Sequence, residues 1–141
     1  MFQTIRIGDW IIEADVEETR RQYAKNIEDM CGCLLCENFR EVMETLPREK
    51  AQMFEGFGLQ PSVCTDINEF GPEGDRHLYV ASYFIVGHII EGRNEWDPDR
   101  NWTISFELPR DDHFIPEGFP KPIVQLDCIT LLPWTMKEPY E

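Results

Sequence analysis

Three thiols stand close together in the run Cys31-Gly32-Cys33-Leu34-Leu35-Cys36-Glu37-Asn38-Phe39, in a chain that holds five cysteines in all. Cys31, Cys33 and Cys36 have the residue type and the crowding for a zinc site, because thiolates are preferred ligands of this ion and a turn entering a helix can converge them. A structural site takes four ligands, and Cys64, Cys128, His77, His88 and His113 are all candidates for the fourth. None of these belongs to a second short cysteine pair, so the spacing alone does not choose among them. A redox reading takes Cys33 and Cys36 as a Cys-x-x-Cys pair at a helix start, where the helix dipole favours the attacking thiolate. The thioredoxin arrangement puts such a pair directly after a strand, whereas here a helical pattern precedes it. The third reading is packing, since free cysteine behaves as a small hydrophobe and is among the most buried residue types. It is the favoured one.

The other chemical candidates are weaker. Asp97, Asp99 and Asn101 have the spacing with which a calcium loop begins, but Trp102 stands where that loop needs glycine and Leu108 where it needs a bidentate glutamate. Asp111-Asp112-His113 combines two carboxylates and an imidazole, yet adjacent residues do not aim at one point without a special loop, and a solvated loop is the expectation. His88 sits in an apolar strand and reads as a hydrogen-bonded structural histidine. Nucleophile-elbow, phosphate-loop and dinucleotide fingerprints are missing from the chain. Trp96, Trp102, Trp134 and Tyr140, near acidic stretches, could anchor a basic protein partner.

The elements that position these residues follow from hydrophobic period and turn chemistry. Ile5 and Ile7 alternate with polar residues, Gly8-Asp9 supplies a two-residue turn, and Trp10 and Ile12 resume the alternation. This predicts a hairpin over 4–13, with Ile7 facing Trp10 and Ile5 facing Ile12. Asp15 and Glu18 fit a capping box that opens a helix to about Met30, with Val16, Tyr23, Ile27 and Met30 on its apolar stripe. A second helix is expected from Cys36 to Leu46 and stops at Pro47. The same proline suits the first turn of a third helix, through Ala51, Phe54 and Phe57 to a left-handed stop at Gly58.

After Pro61 the period changes to that of strands. Residues 78–90 carry apolar side chains on both alternations, as expected of a strand covered on both faces or bent at Gly87. Residues 102–108 alternate cleanly, and Val124, Leu126 and Cys128 mark a last strand ending near Pro133. The segments 68–75, 91–101 and 109–122 read as polar, proline-rich connectors. With no helical pattern between the later strands, the sheet must be antiparallel. The expectation is a single α+β domain over residues 1–141, in which about five strands pack on two or three helices in the order β-β-α-α-α-β-β-β.

Charge bounds the partners. A formal charge of -14 disfavours a bare nucleic-acid backbone and an anionic membrane surface. The longest apolar runs fall short of a bilayer span, and the amino terminus does not read as a signal peptide. An odd number of cysteines does not suit a paired extracellular framework, so a cytoplasmic chain is expected. The functional expectation is an acidic, non-enzymatic binding or accessory domain for a basic protein. A structural zinc domain on Cys31, Cys33 and Cys36 is the first alternative, and a thiol-based redox protein the second.

Gly32-Cys33-x-x-Cys36-x-Asn38-Phe39, preceded by Cys31 and followed by Leu46-Pro47, resembles a family of small uncharacterised bacterial domains with a Cys-x-Cys-x-x-Cys-x-Asn-Phe motif. The earlier Asp15, Val16, Thr19 and Tyr23 and the late Leu132-Pro133-Trp134 fit the same resemblance. It implies a bacterial, single-domain protein and supplies no catalytic residue.

Overall fold

The computed structural model describes residues 1–25, 33–99, 101–109 and 115–138. Two strands, β1 (Gln3–Ile7) and β2 (Trp10–Ala14), form the expected hairpin, with Ile5 opposite Ile12 and Ile7 opposite Trp10. Helices α1 (Val16–Tyr23), α2 (Leu34–Glu44) and α3 (Arg48–Gly56) follow. Five strands complete the chain: β3 (Asp66–Glu73), β4 (Arg76–Glu91), β5 (Trp96–Asp99), β6 (Trp102–Glu107) and β7 (Ile123–Pro133). All pairings are antiparallel, in one seven-stranded sheet of order β1-β2-β4-β7-β6-β5, with β3 beside β4.

Seven strands replace the expected five or so, and the element order lengthens to match. The two additions are β3 and β5, which occupy segments expected to be connectors. Both carry a proline and polar side chains, and each pairs along one side only, β3 with β4 and β5 with β6. Edge strands tolerate residues that a central strand would reject, so their sequences resemble loops. Helix boundaries moved less: α2 begins at Leu34 rather than Cys36 and ends at Glu44 rather than Leu46. The cap at Asp15 holds, its Oδ1 accepting from the Glu18 amide at 3.1 Å, but the reciprocal half of the box does not form, because the Asp15 amide donates to the Val86 carbonyl, and α1 is capped at Ala24 instead of running to about Met30. Ile27 and Met30 of the expected stripe lie outside the described residues.

Strand β4 organises the sheet. Every residue from 81 to 87 is buried, as the doubly apolar pattern requires. Along one edge β4 pairs first with β3, as far as Ser82, and then with β2, from Gly87 onward. Helix α1 completes the interval between them. Tyr23 Oη accepts from the Phe84 amide at 2.7 Å, Thr19 Oγ1 accepts from the Val86 amide at 3.0 Å, and the Asp15 amide donates to the Val86 carbonyl at 2.7 Å. Three groups of a helix thus stand in for a strand, and no buried amide there is orphaned. Gly87 permits the crossing of β2, because a Cβ at this position would lie only 2.9 Å from the Ala14 Cα and closer still to the Glu13 carbonyl oxygen.

The sheet curls strongly. Strands β2 and β6 are separated by β4 and β7, a distance of about 14 Å in a flat sheet, yet the rings of Trp10 and Phe106 lie 5.3 Å apart. Phe54 and Phe57, at the end of α3, fill the hollow, packing on Tyr83 at 5.1 Å and on Phe106 at 5.6 Å. Gly58 takes the expected left-handed conformation, with φ +87°. Phe119, in the connector before β7, covers the other face at Phe84 and touches Tyr23.

Candidate functional site

The thiol corner is built by α2. Cys33 is its N-cap residue and is exposed, while Cys36, one turn on, is buried. Both line a recess of about 240 Å³ with Leu35, Ile67, Glu69 and Tyr79. Cys31 lies outside the described residues, as do Asp111, Asp112, His113 and Tyr140. Cys64 and Cys128 are fully buried in the hydrophobic core, and burial, then the neighbouring Cys64, pushes the Cys128 thiol well up. His77 Nδ1 lies 2.8 Å from Glu69 Oε2 with both side chains buried, and its ring packs 4.8 Å from that of Trp134. His88 Nε2 lies 2.8 Å from Glu13 Oε1, the hydrogen-bonded role expected of it, although the pair is half exposed. Among the described residues, no three His, Cys, Asp or Glu side chains converge as metal ligands.

The residues around those thiols have a plain structural use. Asn38 is fully buried. Its Nδ2 donates to the Pro133 carbonyl at 3.0 Å, and its Oδ1 accepts from the Thr135 amide at 2.7 Å. Helix α2 is thereby tied to the end of β7. Phe39 packs 5.5 Å from Tyr79, whose hydroxyl donates to the Leu35 carbonyl at 2.8 Å. Burial pushes the Tyr79 hydroxyl up to about 12, with the Asn38 contact working the other way. Asn38, Phe39, Asp15, Thr19 and Tyr23, which are among the residues that carry the motif resemblance, each make a contact that joins elements of the fold.

A larger concavity lies elsewhere, between α3 and the strands β5 and β6. It encloses about 650 Å³, and its lining includes Glu49, Lys50, Met53, Trp96, Asp97 and Trp102. Trp102 is 5 % exposed and therefore belongs to the core rather than to an exposed aromatic set. Trp96 is half-buried beside the β1–β2 turn, where a Cβ on Gly8 would come within 2.8 Å of its ring. Glu49 and Asp97 are exposed at the cleft, and the Lys50 ammonium lies 5.0 Å from the centre of the Trp102 ring. The arrangement offers aromatic and thioether walls with two carboxylates and one internal cation. Such walls offer contact surface to an apolar or cationic side chain. Trp96 and Trp102 stood out in the sequence, where core and rim packing was the favoured reading of them, but Lys50 and Met53 did not. Their helical spacing marks a helix face without saying what faces it.

Comparison with protein-family models, curated proteins and solved structures gives no match to this chain.

Proposed function

We propose that the protein is an acidic, non-enzymatic binding domain, bacterial and cytoplasmic, that receives a basic segment of another protein in the cleft between α3 and β5–β6. One observation carries this reading: the chain's own ammonium, from Lys50, sits against the Trp102 ring in a 650 Å³ cleft bearing Glu49 and Asp97. Trp96, half-buried at the same cleft, offers an incoming cation a ring with the same quadrupole. The overall charge of -14 would steer a basic partner toward the surface and raise its association rate at low salt. No helix among the described residues is long and apolar enough to cross a membrane.

Fluorescence titration with a synthetic Lys/Arg-rich peptide tests the proposal. Saturable binding that weakens between low and high salt, and that falls when Trp96 is replaced by alanine, is the expected result. Binding indifferent to both changes overturns it.

A structural zinc site on Cys31, Cys33 and Cys36 is the second reading, favoured by the recess that Cys33 and Cys36 share with Glu69. Metal analysis of protein purified without chelator decides it. Less than about one zinc per several chains, with melting unchanged after chelation, ends this reading.

A further inference from the structure

Cys33 and Cys36 occupy the N-cap and the third helical position of α2. The backbone at Cys33 is extended, with φ -75° and ψ 165°, which turns an N-cap side chain back over the first turn of its helix. In a capping box, the side chains at these two positions reach toward each other's backbone across that turn. Here both carry a thiol. The turn is closed, since the Cys33 carbonyl accepts from the Glu37 amide at 2.9 Å. Residues three apart on such a turn have Cα atoms about 5 Å apart, inside the roughly 4.4–6.8 Å that a disulfide bridges. The turn is also held from outside: Tyr79 Oη donates to the Leu35 carbonyl at 2.8 Å, and Asn38 Nδ2 to the Pro133 carbonyl at 3.0 Å. A bond between the two sulfurs therefore asks for side-chain rotation and leaves the helix in place.

Exposure gives the two thiols different roles. Cys33 is exposed, and Cys36 is 7 % exposed. An incoming disulfide meets Cys33 first. Cys36 lines the same recess of about 240 Å³, beside Leu35, Ile67, Glu69 and Tyr79, so it is shielded from reagents while lying one turn from its neighbour. Cys64 and Cys128 are fully buried in the core and are not among the residues lining that recess.

We propose that Cys33 and Cys36 form a reversible dithiol–disulfide couple that reduces an external disulfide, R–S–S–R′. Cys33, its proton released to water, attacks one substrate sulfur. The bond from Cys33 Sγ to that sulfur forms as the S–S bond breaks, and R′S⁻ leaves and takes a proton from water. Cys36 then releases its proton to water, attacks Cys33 Sγ and expels RS⁻, which is protonated in turn. The protein is oxidised by two electrons and gains one disulfide; the substrate is reduced to two thiols. The charge of -14 repels an anionic disulfide and favours an uncharged or cationic one. The couple uses the sulfurs that a zinc ion would need, so the two chemistries exclude each other on one chain.

Treatment of the reduced full chain with cystamine, a cationic disulfide, followed by alkylation and peptide mapping, tests this. A Cys33–Cys36 bond is expected, with both halves of cystamine released and the bond reversed by dithiothreitol. Cys36→Ala should trap cysteamine on Cys33, and Cys33→Ser should slow the reaction at least about tenfold, because the thiol that remains is buried. Both variants also carry Cys31→Ser, so that this further thiol, outside the described residues, neither attacks nor resolves. With Cys31→Ser alone the Cys33–Cys36 bond should still form. The map of the unsubstituted chain decides even where a variant fails to fold. A lasting cysteamine adduct on Cys33 while Cys36 is present, a bond made instead through Cys31, Cys64 or Cys128, or no reaction of the folded chain overturns the couple. Faster oxidation by anionic glutathione disulfide than by cystamine overturns the charge preference.

Discussion

Asn38 illustrates how one buried polar side chain fixes the arrangement of distant segments. It serves the Pro133 carbonyl and the Thr135 amide together, so Asn38→Ala leaves both without a partner. A loss of roughly 1–3 kcal/mol is expected from chemical denaturation, since each of the two part-buried hydrogen bonds is worth about 0.5–1.5 kcal/mol. The thiols divide by exposure: Cys33 should alkylate in the native protein, whereas Cys64 and Cys128 should label only on unfolding, as read by mass mapping. Equal labelling of all three would contradict the packing described. Lys50 lies against the surface proposed for a partner's cation, so Lys50→Met should tighten basic-peptide binding about two- to fivefold. The same substitution at exposed Lys121 should not. Asn38 was legible only as part of a motif, because nothing in its local sequence names Pro133 or Thr135 as partners.

At the level of elements, the hairpin and its register were readable because alternation and a Gly-Asp turn leave one solution. Strands β4, β6 and β7 were readable because burial on one or both faces writes itself into the apolar pattern. Edge strands β3 and β5 escaped, since Gly71, Pro72 and Pro98 make sense only once one side of each strand is known to be unpaired. The use of α1 as a surrogate strand also escaped: the helical period places Thr19 and Tyr23 on one face but does not reveal that their hydroxyls meet backbone amides of β4. Tyr23→Phe removes the acceptor of the Phe84 amide and should cost about 1–3 kcal/mol, with faster hydrogen exchange confined to residues near 84. A uniform change across the sheet would argue against this local role. The cleft was half legible for a similar reason, as its walls come from α3, β5 and β6 and meet only after the sheet has curled.

For the molecule as a whole, the alkaline limb of stability should report the core directly. Burial raises the hydroxyl pKa of Tyr23, Tyr79 and Tyr83 above the ordinary value near 10, to about 12 for Tyr79. The folded state therefore keeps protons that the unfolded chain has begun to release. The stabilisation is complete below the unfolded value and is lost as pH rises from there through the folded values. Absorbance titration should show three of the four tyrosines ionising only with unfolding. Early, reversible ionisation of all four in the folded protein would contradict the burial described. At neutral pH the same molecule combines a self-contained core with a charge of -14 and an aromatic cleft, which is why binding rather than catalysis is the proposed role. The most direct test follows the four indole N–H resonances during titration with the Lys/Arg-rich peptide. Saturable shifts at Trp96 and Trp102, with Trp10 and Trp134 unmoved, are predicted; shifts at Trp134 alone, or none at Trp96 and Trp102, would contradict the account.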